Sequence, residues 1–426
     1  MNAREIKKAK KINAVFSAPP AKAFTLRALF ISALAEGKSI LKNGLHAEDQ
    51  KIAMNALNQF GAKIEFDGKD YYVQGTGGKL ISPKETVFVG NSGVTSRFIV
   101  PIAGLAEGNS IIDGTERMRE RPLQDLIDSL EKIGLNAETN KGCPPVSVDG
   151  KTLKGGETFV LGNKSSQYLS AMLIAGPYME KGLKIRIEGE LMSKPYVDIT
   201  MDVMRAFGVS TVNRDYKDFF VSPVHKYSSK EYPIEGDYSS ASYFFAAAAI
   251  TKGKVRVNNL NPDSKQGDKV LLKHFEKMGC EINYGKDFVE LIGKDLKGIE
   301  VDMSDCPDVV PTLSVVSAFA KGKTKITNIA HLAIKESNRI ETTAQNLKKC
   351  GIKADAGTDY LEIHGGSPNG AEVDSFDDHR IAMAFSVMGL AVEGMKITNS
   401  STVAKSFPDF YKEFEKFYEE SKWTLH

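Results

Sequence analysis

The chain lacks the features that mark several common classes of protein. Its 426 residues include four cysteines, at positions 143, 280, 306 and 350, and no pair of them has Cys-x-x-Cys spacing. Scattered cysteines with no nearby histidine cluster predict reduced thiols and no structural metal site. Basic and acidic residues almost balance, which leaves a net charge of +2. A nearly neutral chain argues against nucleic acid or a membrane surface as the main partner.

Long apolar stretches are also missing. The apolar runs reach only about a dozen residues, which is too short to cross a bilayer. No apolar segment follows the basic residues near the N-terminus, so we expect no secretory signal. These absences predict a cytoplasmic protein. Because 42% of the residues are apolar, the chain can still build sizeable cores, and its length predicts about two or three domains.

The most informative feature of the sequence is a repeat. An apolar, alanine-rich run followed by a glycine and a short polar/β-branched alternation first occurs at residues 25–43 and is present in six copies. The glycines after these runs lie 71, 74, 71, 69 and 72 residues apart, at Gly37, Gly108, Gly182, Gly253, Gly322 and Gly394. A period this constant indicates repeated supersecondary units. We predict a buried helix in each unit, ended by a left-handed C′ glycine and followed by a strand.

A second helix follows in each of the first five units. It ends at Gly61, Gly134, Gly208, Gly279 or Gly351, and a single apolar stripe precedes each glycine. One stripe predicts a helix with one face in water. A hairpin comes next, as in AKIEFDGKDYYVQG with Asp67-Gly68 at the turn. The repeat therefore reads βαβαββ, and the degenerate sixth copy is predicted to end in a helix at Phe410–Trp423.

Six such units are compatible with one closed array or with three units in each of two domains. A polar stretch at residues 224–233 lies near the midpoint of the chain and is the best candidate for a linker. We therefore predict one domain of residues 21–233 and another of residues 1–20 with residues 234–426. A strand is predicted at Lys11–Ser17.

Charged and polar residues open the buried helices. In chain order they are Lys22 with Arg27, Asn91–Gly93, Ser165–Gln167, Asp237 with Ser239 and Ser240, Asp305 with Asp308, and Asp378–Arg380. Serine, asparagine and aspartate are ordinary N-caps, but capping does not require Lys22, Gln167 or Arg380. If the buried helices are parallel, several positive N-termini meet on one face of each domain, and such a face binds phosphate. The residues alone predict a two-domain protein with a cleft for a small, multiply anionic ligand.

With these residues in place, the chain resembles the 5-enolpyruvylshikimate-3-phosphate (EPSP) synthase family over essentially its whole length. The matching stretches are Lys22-x4-Arg27, NSGxTSR (91–97), RERPxxDL (119–126), SSQYL (165–169), EGDxSSASY (235–243), PD (307–308), KESxRI (335–340), DHRIAM (378–383) and KSFP (405–408). Each is weak alone, but nine in the family's order are specific. The resemblance implies a two-domain inside-out α/β barrel with three βαβαββ units in each domain, buried helices, and an active site in the cleft between the domains.

The resemblance also implies a reaction. Members of the family transfer the enolpyruvyl group of phosphoenolpyruvate to the 5-hydroxyl of shikimate 3-phosphate through a tetrahedral ketal, without a metal or organic cofactor. This addition–elimination requires a base, an acid at the methylene carbon and fixed positive charge for two phosphates and two carboxylates. We therefore expect two small anionic substrates, no cofactor, no metal, no nucleic-acid or membrane partner, and a monomer.

Site residues follow from the matching motifs. The implied catalytic residues are Lys22, Asp308 as the base on the hydroxyl, and Glu336 as the acid at the methylene. The implied phosphoenolpyruvate-binding residues are Lys22, Gly93, Arg121, Gln167, Arg339, Arg380 and Lys405. The implied shikimate 3-phosphate-binding residues are Lys22, Arg27, Ser165, Ser166, Gln167, Ser193, Tyr196, Asp308 and Lys335.

Several of these residues also have a structural interpretation. An isolated arginine or lysine is more often a solvated surface charge. Ser165 is expected both to cap a helix and to bind, and Gly93 to form a turn with positive φ as well as to line the site. Asp49 fits a hinge residue and an N-cap equally well. His379 is better explained as a packed structural histidine.

Two positions depart from the family pattern. Ala23 stands where the family usually has serine, and Val94 stands where it usually has threonine. Each change removes a hydrogen bond worth about 0.5–1.5 kcal/mol. Both changes affect contacts to the substrate, whereas Lys22, Asp308, Glu336 and the arginines are retained. Because Gly93 is retained, we predict inhibition by glyphosate, the family's inhibitor, in competition with phosphoenolpyruvate.

Four alternatives to EPSP synthase remain. A paralogue could use another alcohol, given Ala23 and Val94. A UDP-N-acetylglucosamine enolpyruvyl transferase usually carries a cysteine in the mobile loop, and the corresponding GTERMRERP at residues 114–122 has none. An RNA 3′-phosphate cyclase-like protein would need a basic stripe, and a non-catalytic binding protein would not need both carboxylates. We therefore favour EPSP synthase.

Overall fold

The protein is described here from a computed structural model, which describes residues 3–10 and 12–419. The chain forms two compact units. The N-terminal unit is Pro20–Ile234, and the C-terminal unit is Met1–Pro19 together with Glu235–His426. Each boundary lies one residue from the predicted domain boundary. Within the described residues, no helix combines the length and apolarity needed to cross a membrane.

Two kinds of helix alternate along the chain. In order, the helices are α1 (Lys22–Leu34), α2 (Glu48–Gln59), α3 (Gly93–Leu105), α4 (Gln124–Glu131), α5 (Ser166–Ala175), α6 (Lys194–Ala206), α7 (Tyr238–Thr251), α8 (Val270–Met278), α9 (Val310–Ser317), α10 (Arg339–Lys349), α11 (His379–Gly389) and α12 (Phe410–Phe414). The odd-numbered helices from α1 to α11 are buried along almost their whole length. The even-numbered helices from α2 to α10 bury one face. This alternation confirms the prediction from the two apolar patterns.

Three four-stranded sheets surround the buried helices of the N-terminal unit. After β1 (Arg4–Ile6) and β2 (Asn13–Ser17), which belong to the other unit, the strands are β3 (Glu36–Lys42), β4 (Lys63–Phe66), β5 (Tyr71–Thr76), β6 (Val87–Phe88), β7 (Ser110–Asp113), β8 (Asn136–Asn140), β9 (Cys143–Asp149), β10 (Gly156–Leu161), β11 (Leu183–Glu188), β12 (Thr211–Arg214), β13 (Asp218–Val221) and β14 (Glu231–Pro233). The sheet orders are β14-β3-β5-β4, β6-β7-β9-β8 and β10-β11-β13-β12. In each sheet the first pair is parallel and the remaining pairs are antiparallel.

The C-terminal unit repeats this plan with one shorter sheet. Its other strands are β15 (Lys254–Asn258), β16 (Glu281–Tyr284), β17 (Phe288–Ile292), β18 (Glu300–Asp302), β19 (Lys323–Thr327), β20 (Lys353–Ala356), β21 (Leu361–His364), β22 (Glu372–Val373) and β23 (Met395–Ile397). The orders are β2-β15-β17-β16, β18-β19-β21-β20 and β22-β23-β1. In the last sheet β1 pairs antiparallel with β23, in the place of the hairpin of the other five sheets. The sixth repeat is therefore degenerate, as predicted.

The first repeat is completed by a strand from the end of its own unit. β14 pairs in parallel with β3, with Pro233 opposite Lys42. Residues 224–233 are therefore not a simple linker, and that part of the prediction is wrong. Proline is tolerated in β14 because an edge strand has one side without ladder partners. The strand that precedes α1 in the sequence, β2, instead pairs with β15 in the C-terminal unit.

The predicted C′ glycines after the buried helices are wrong in two clear cases. Helix α1 ends at Leu34, and the next residue, Ala35, is already extended, so Gly37 with φ +91° lies inside β3. After α7 the left-handed residue is Lys252, at φ +52°, and not Gly253. At the half-buried helices the pattern holds, since Gly61 follows the last turn of α2 with φ +102°.

Tertiary contacts explain why α1 does not need a C′ glycine. The last carbonyls of a helix have no partner inside the helix. In α1, the Thr76 hydroxyl donates to the Ala33 carbonyl at 3.0 Å, and the Tyr178 hydroxyl donates to that of Leu34. The backbone N–H of Gly77 donates to the Ala35 carbonyl at 3.0 Å. Neighbouring segments thus replace the capping bonds that a C′ glycine would make.

The ends of the chain differ in detail from the sequence prediction. The strand predicted at Lys11–Ser17 begins at Asn13, and Lys11 lies outside the described residues. The helix predicted at Phe410–Trp423 is only the short α12 followed by a 3₁₀ segment at Glu415–Tyr418. Its last part, from residue 420, lies outside the described residues.

The core of the N-terminal unit predicts a measurable contrast between two phenylalanines. Phe30 is 0% exposed and packs edge-to-face on Phe98, with ring centroids 5.2 Å apart, whereas Phe88 is 58% exposed. We expect Phe30→Ala to lower the free energy of unfolding by about 3–5 kcal/mol through loss of apolar contacts and a cavity. Phe88→Ala should change it by less than about 0.5 kcal/mol. Urea unfolding of both variants measures this, and equal losses would contradict the assigned core.

Candidate active site

Lys22 and Asp49 form an ion pair at the start of the N-terminal unit. Lys22 is the first residue of α1, and its Nζ lies 2.7 Å from Oδ2 of Asp49, which is buried. Asp49 is the second residue of α2, whose N-cap position is Ala47. The N-cap interpretation of Asp49 is therefore wrong, because the carboxylate neutralises Lys22 instead. A predicted catalytic ammonium is thus held at a defined position by a buried charge.

Arg27 is a buried cation held by neutral groups. Its Nε donates to the Thr200 hydroxyl at 2.7 Å, and one terminal nitrogen donates to the Ala23 carbonyl at 3.0 Å. The guanidinium carbon lies 5.9 Å from the ring centre of Tyr196. Burial lowers the pKa of Arg27 to about 10, although the Tyr196 phenol acts in the opposite direction. Among the described residues no carboxylate pairs with Arg27, so its charge is available to an anion.

Gly93 is required by the close approach of two arginines. It is the first residue of α3 and does not have positive φ, so the predicted turn is wrong. A Cβ at this position would lie 2.5 Å from a terminal nitrogen of Arg121 and 2.9 Å from one of Arg97. Any side chain would therefore displace these buried guanidinium groups. The Arg121 guanidinium also donates to the Asn91 carbonyl at 3.3 Å.

The start of α5 combines capping with a cluster of small polar groups. Ser165 caps the helix by accepting a bond from the Gln167 N–H at 3.2 Å, which confirms the capping half of its prediction. Ser166 is buried, whereas Ser165 and Gln167 are partly exposed. Ser193 occupies the N-cap position of α6 in the left-handed region, at φ +56°, and its side chain makes no cap bond. Its role as a simple helix cap is therefore excluded.

The C-terminal unit holds a buried ion cluster around Arg339. This residue begins α10 and is 1% exposed. Its Nε lies 2.7 Å from Asp378, and its terminal nitrogens lie 2.9 Å from Asp308 and 2.8 Å from Glu336. Burial alone would lower the pKa of Arg339, but the three carboxylates raise it above its ordinary value. One guanidinium therefore brings together the two carboxylates predicted to be catalytic.

Arg380, from the first turn of α11, shares Asp308 with Arg339. Its terminal nitrogens lie 3.1 Å from Asp308 and 3.4 Å from the hydroxyl of Tyr243. Asp308 is 22% exposed at its side chain. Burial alone would raise the pKa of Asp308, but the charges of Arg380, Arg339 and Lys335 lower it well below its ordinary value. In this arrangement Asp308 is an ionised carboxylate and a weak base.

The two units treat the N-termini of their buried helices differently. In the C-terminal unit, the Asp237 carboxylate caps α7 and the Asp378 carboxylate caps α11. A carboxylate at each of these two N-termini offsets part of the positive charge of the helix end, and the prediction that helix N-termini bind phosphate in each domain stays a prediction. In the N-terminal unit, no side chain among the described residues caps α1 or α3, so their first N–H groups remain available to an anion, whereas Ser165 caps α5.

Comparisons with known proteins agree with this arrangement. The family model described as EPSP synthase (3-phosphoshikimate 1-carboxyvinyltransferase) matches residues 6–414. The chain belongs to the EPSP synthase family. The family members from Methanospirillum hungatei and Methanothermobacter thermautotrophicus carry the name 3-phosphoshikimate 1-carboxyvinyltransferase. The Methanospirillum hungatei protein is 40% identical to this chain over 412 residues, which cover 95% of both chains. The Methanothermobacter thermautotrophicus protein is also 40% identical, over 410 residues that cover 95% of this chain and 96% of the relative.

Solved structures show the same fold. The EPSP synthase from Acinetobacter baumannii has 27% sequence identity to this chain and a TM-score of 0.80, and 97% of each chain is covered. The enolpyruvyl transferase NikO from Streptomyces tendae, at 16% identity, has a TM-score of 0.78 with 97% of each chain covered. The predicted two-domain inside-out α/β barrel of the EPSP synthase family is confirmed as the fold class.

The remaining predicted residues lie close to these clusters. Lys335 is partly exposed, beside Glu336, and its charge acts on Asp308. Lys405 is buried at the end of a 3₁₀ segment, Ser400–Lys405, which packs against α11. His379 is buried as the first residue of α11, which agrees with its interpretation as a packed histidine. The roles assigned to these residues by the EPSP synthase family stay predictions.

Some residues of the site were not singled out from the sequence. The Arg97 guanidinium donates a hydrogen bond to the Gly93 carbonyl at 3.0 Å. The sequence feature that could have indicated Arg97 is a charged residue one turn after Gly93 in an otherwise apolar helix. Asp378 was noted only as part of a motif, although it joins Arg339 to the start of α11. His331 is buried, and neither of its ring nitrogens has a hydrogen-bond partner among the residues that the structure describes. Burial, with the charge of Lys335, lowers its pKa to about 3. An isolated histidine carries no sequence signal of this kind.

Within the described residues, one group of side chains has metal-ligand spacing. Asp355, Glu362 and His364 lie on the hairpin β20–β21. Lys353 is 3.9 Å from Asp355, and Lys323 is 3.0 Å from Glu362, so each carboxylate already has a cation partner. The group lies on the surface and shares no residue with the clusters described above.

The ion pair between Asp378 and Arg339 can be tested by removing the charge of Asp378. Asp378→Asn keeps the shape of the side chain but leaves Arg339 with less compensation in a buried position. We expect the free energy of unfolding to fall by about 3–5 kcal/mol, the usual result of breaking a buried pair. Asp355→Asn, at a side chain that is 51% exposed, is the control and should cost less than about 1 kcal/mol. Chemical unfolding measures the free energy of unfolding of both variants. Similar losses would show that the buried pair contributes no more to stability than an exposed carboxylate does.

Proposed function

We propose that this protein transfers the enolpyruvyl group of phosphoenolpyruvate to the 5-hydroxyl of shikimate 3-phosphate, yielding EPSP and phosphate. In the first step the hydroxyl loses its proton, its oxygen attacks C2 of phosphoenolpyruvate, and the methylene carbon C3 gains a proton. This produces a tetrahedral ketal. In the second step C3 gives up a proton and phosphate leaves with the electrons of its C–O bond.

The observation that carries the proposal is the buried cluster at the starts of α10 and α11. There, Arg339 and Arg380 share the carboxylate of Asp308, and Glu336 contacts the same Arg339. Arginine binds phosphate and carboxylate oxygens through two parallel hydrogen bonds, which suits a donor carrying both groups. The cluster therefore combines fixed positive charge with an acid and a base, as the reaction requires.

Donor binding supplies a reason for Asp308 to act as a base. The donor's oxygens compete with Asp308 for the Arg339 and Arg380 guanidinium groups. When these guanidiniums turn to the donor, Asp308 loses part of the charge that lowers its pKa. Asp308 becomes more basic as the donor binds, and it then takes the proton of the acceptor hydroxyl. Glu336 likewise loses part of the charge of Arg339 when the donor binds, so it takes up a proton and then gives that proton to C3. Lys22, held by Asp49, assists the transfer.

The N-terminal unit supplies the groups for the acceptor. Ser165, Ser166 and Gln167 offer hydroxyl, amide and backbone donors to the phosphate at the start of α5. Ser193, Tyr196 and Lys335 belong to the same predicted acceptor set. Arg27 binds the carboxylate of the acceptor. Lys22, Gly93, Arg121 and Gln167, together with Arg339, Arg380 and Lys405, form the predicted donor set. No metal or organic cofactor enters this scheme.

The departures at Ala23 and Val94 are compatible with the same acceptor. Arg27 is held by the Ala23 carbonyl and by the Thr200 hydroxyl, and neither bond needs a serine side chain at position 23. Val94 packs partly buried against the core of the N-terminal unit. A paralogue acting on another alcohol is the second candidate, because the missing serine hydroxyl removes one contact to the substrate. The expected monomer, the cytoplasmic location and the absence of a nucleic-acid partner stay predictions.

The proposed function is tested by phosphate release from phosphoenolpyruvate. We expect turnover with shikimate 3-phosphate and none with unphosphorylated shikimate or UDP-N-acetylglucosamine. Asp308→Asn should lower kcat by about 10²–10⁴ through loss of the base, whereas Asp302→Asn, an exposed carboxylate on β18, should stay within about twofold. Turnover only with a different alcohol would establish the paralogue, and no turnover with any acceptor would refute an enolpyruvyl transferase.

Arg27 provides a second test, in which stability and binding change in opposite directions. Arg27→Gln removes a buried cation without a carboxylate partner, so stability should stay equal or rise. The KM for shikimate 3-phosphate should rise about 10- to 100-fold, because a charged hydrogen bond is lost. Arg186→Gln, at an exposed arginine on β11, is the matched control and should change neither quantity. Thermal unfolding and steady-state kinetics measure both, and an unchanged KM would remove Arg27 from the acceptor site.

A further inference from the structure

Asp268 is a buried carboxyl group to which the proposed reaction assigns no role. It lies in a 3₁₀ turn, Gly267–Lys269, directly before α8, and is 4% exposed. Its Oδ2 accepts a hydrogen bond from the Ser239 hydroxyl on α7. Its Oδ1 has no hydrogen-bond partner among the described residues. A carboxylate buried with a single donor is costly, and a neutral side chain of the same size would fill the position as well.

The loop that carries Asp268 is fixed against the first turn of α7. The side-chain oxygen Oε1 of Gln266 accepts a bond from the Tyr238 N–H at 2.9 Å, and the side-chain nitrogen Nε2 donates to the Gly236 carbonyl at 2.8 Å. In the same turn Asp237 accepts the Ser239 N–H at 3.1 Å. These bonds leave Asp268 little freedom, so it stays beside the start of the helix.

Charged groups of neighbouring residues act electrostatically on Asp268. These are Asp237 at the start of α7, Asp308 before α9 and Arg380 on α11, and the Cys306 thiol is also within electrostatic reach. Burial and the charge of Asp308 raise the pKa of Asp268 to about 7, although the Ser239 hydrogen bond and Arg380 act in the opposite direction. Near neutral pH its negative charge can therefore appear or disappear while Asp308 remains ionised.

Arg380 has only a limited capacity to compensate these carboxylates. Its guanidinium contacts Asp308 at 3.1 Å and the Tyr243 hydroxyl at 3.4 Å. When Asp268 is neutral, the field of Arg380 is opposed by Asp237 and Asp308. When Asp268 is ionised, a third negative charge opposes the approach of an anionic ligand to the same guanidinium.

We propose that Asp268 is a positioning residue that controls the affinity of Arg380 for the anionic donor, by remaining neutral when the donor binds and weakening binding when it ionises. The inference rests on the proposed role of Arg380 in binding phosphoenolpyruvate. It assigns Asp268 no contact with the substrate. Its effect on the reaction passes through Asp308 and Arg380.

The test compares wild type with Asp268→Asn, which keeps an oxygen for the Ser239 hydroxyl and cannot ionise. The Kd for phosphoenolpyruvate is measured by calorimetry, and the KM by phosphate release, from about pH 6 to about pH 8.5. We expect the ratio of wild-type to variant Kd to be near one at low pH and to rise by about threefold to tenfold through a midpoint near neutrality, as for a coupling of half to one pKa unit. Because both proteins bind the same ligand, ionisation of the ligand cancels from the ratio.

Ser239→Ala provides a second variant with a different expected result. It removes the hydrogen bond that lowers the pKa of Asp268 but keeps the carboxyl group. The pH dependence of donor binding should remain, with its midpoint moved to higher pH. A variant that merely loosened the loop would change affinity at every pH without moving a midpoint. A ratio that is independent of pH for Asp268→Asn, with phosphoenolpyruvate bound by both proteins, overturns the inference.

Thermal unfolding gives a readout that needs no ligand. The pKa of Asp268 is raised from 3.8 to about 7 in the folded chain, so its contribution to stability falls as pH rises across that interval. Asp268→Asn should therefore gain in Tm relative to wild type between about pH 5 and about pH 8. A constant difference would also overturn the inference. A protein that binds no phosphoenolpyruvate at any pH would refute the proposed function, and this inference with it, whereas turnover with a flat ratio refutes the inference alone.

Discussion

The rest of this structure depends on one constraint, which is that the first turns of helices, with the charged residues they carry, are buried inside each unit. Each unit places three helices inside, and a buried helix leaves its first N–H groups without intrahelical partners. In the C-terminal unit, aspartates cap α7 and α11. Asp378, the cap of α11, pairs with the buried guanidinium of Arg339, and the charge of Arg380 acts on Asp237, the cap of α7. The ion cluster around Arg339 answers this need, because a buried carboxylate is less costly when a cation pairs with it.

The two units meet this constraint in opposite ways, and the difference has a functional meaning. The N-terminal unit leaves α1 and α3 without side-chain caps and holds Arg27 with neutral groups. The charge of Arg27 is therefore available to an anionic ligand, whereas Lys22 is paired with Asp49. The C-terminal unit stores its positive charge in pairs with Asp308 and Asp378, so an anion must compete for it. In the function proposed above, that competition makes the basicity of Asp308 depend on whether a donor is bound.

Much of the fold could be predicted from local patterns. The near-constant period revealed the repeats, and the difference between apolar runs and apolar stripes separated buried from half-buried helices, because burial acts on each helix face directly. Predictions failed where distant groups replaced local ones. The last carbonyls of α1 find Thr76, Gly77 and Tyr178 instead of a capping glycine. Asp49 looked like an N-cap, yet it pairs with Lys22, which lies 27 residues earlier in the chain.

The sequence by itself determined the repeat, the class of each helix and the membership of the EPSP synthase family, since these depend on residue type and spacing. Only the tertiary structure decided that β14 completes the first sheet, that Gly93 makes room for Arg97 and Arg121, and that Asp308 lies between two arginines. The physical reason is that hydrogen bonds and charges act between groups that the fold brings together. Their separation along the chain, 72 residues for Asp308 and Arg380, leaves no trace in a local pattern.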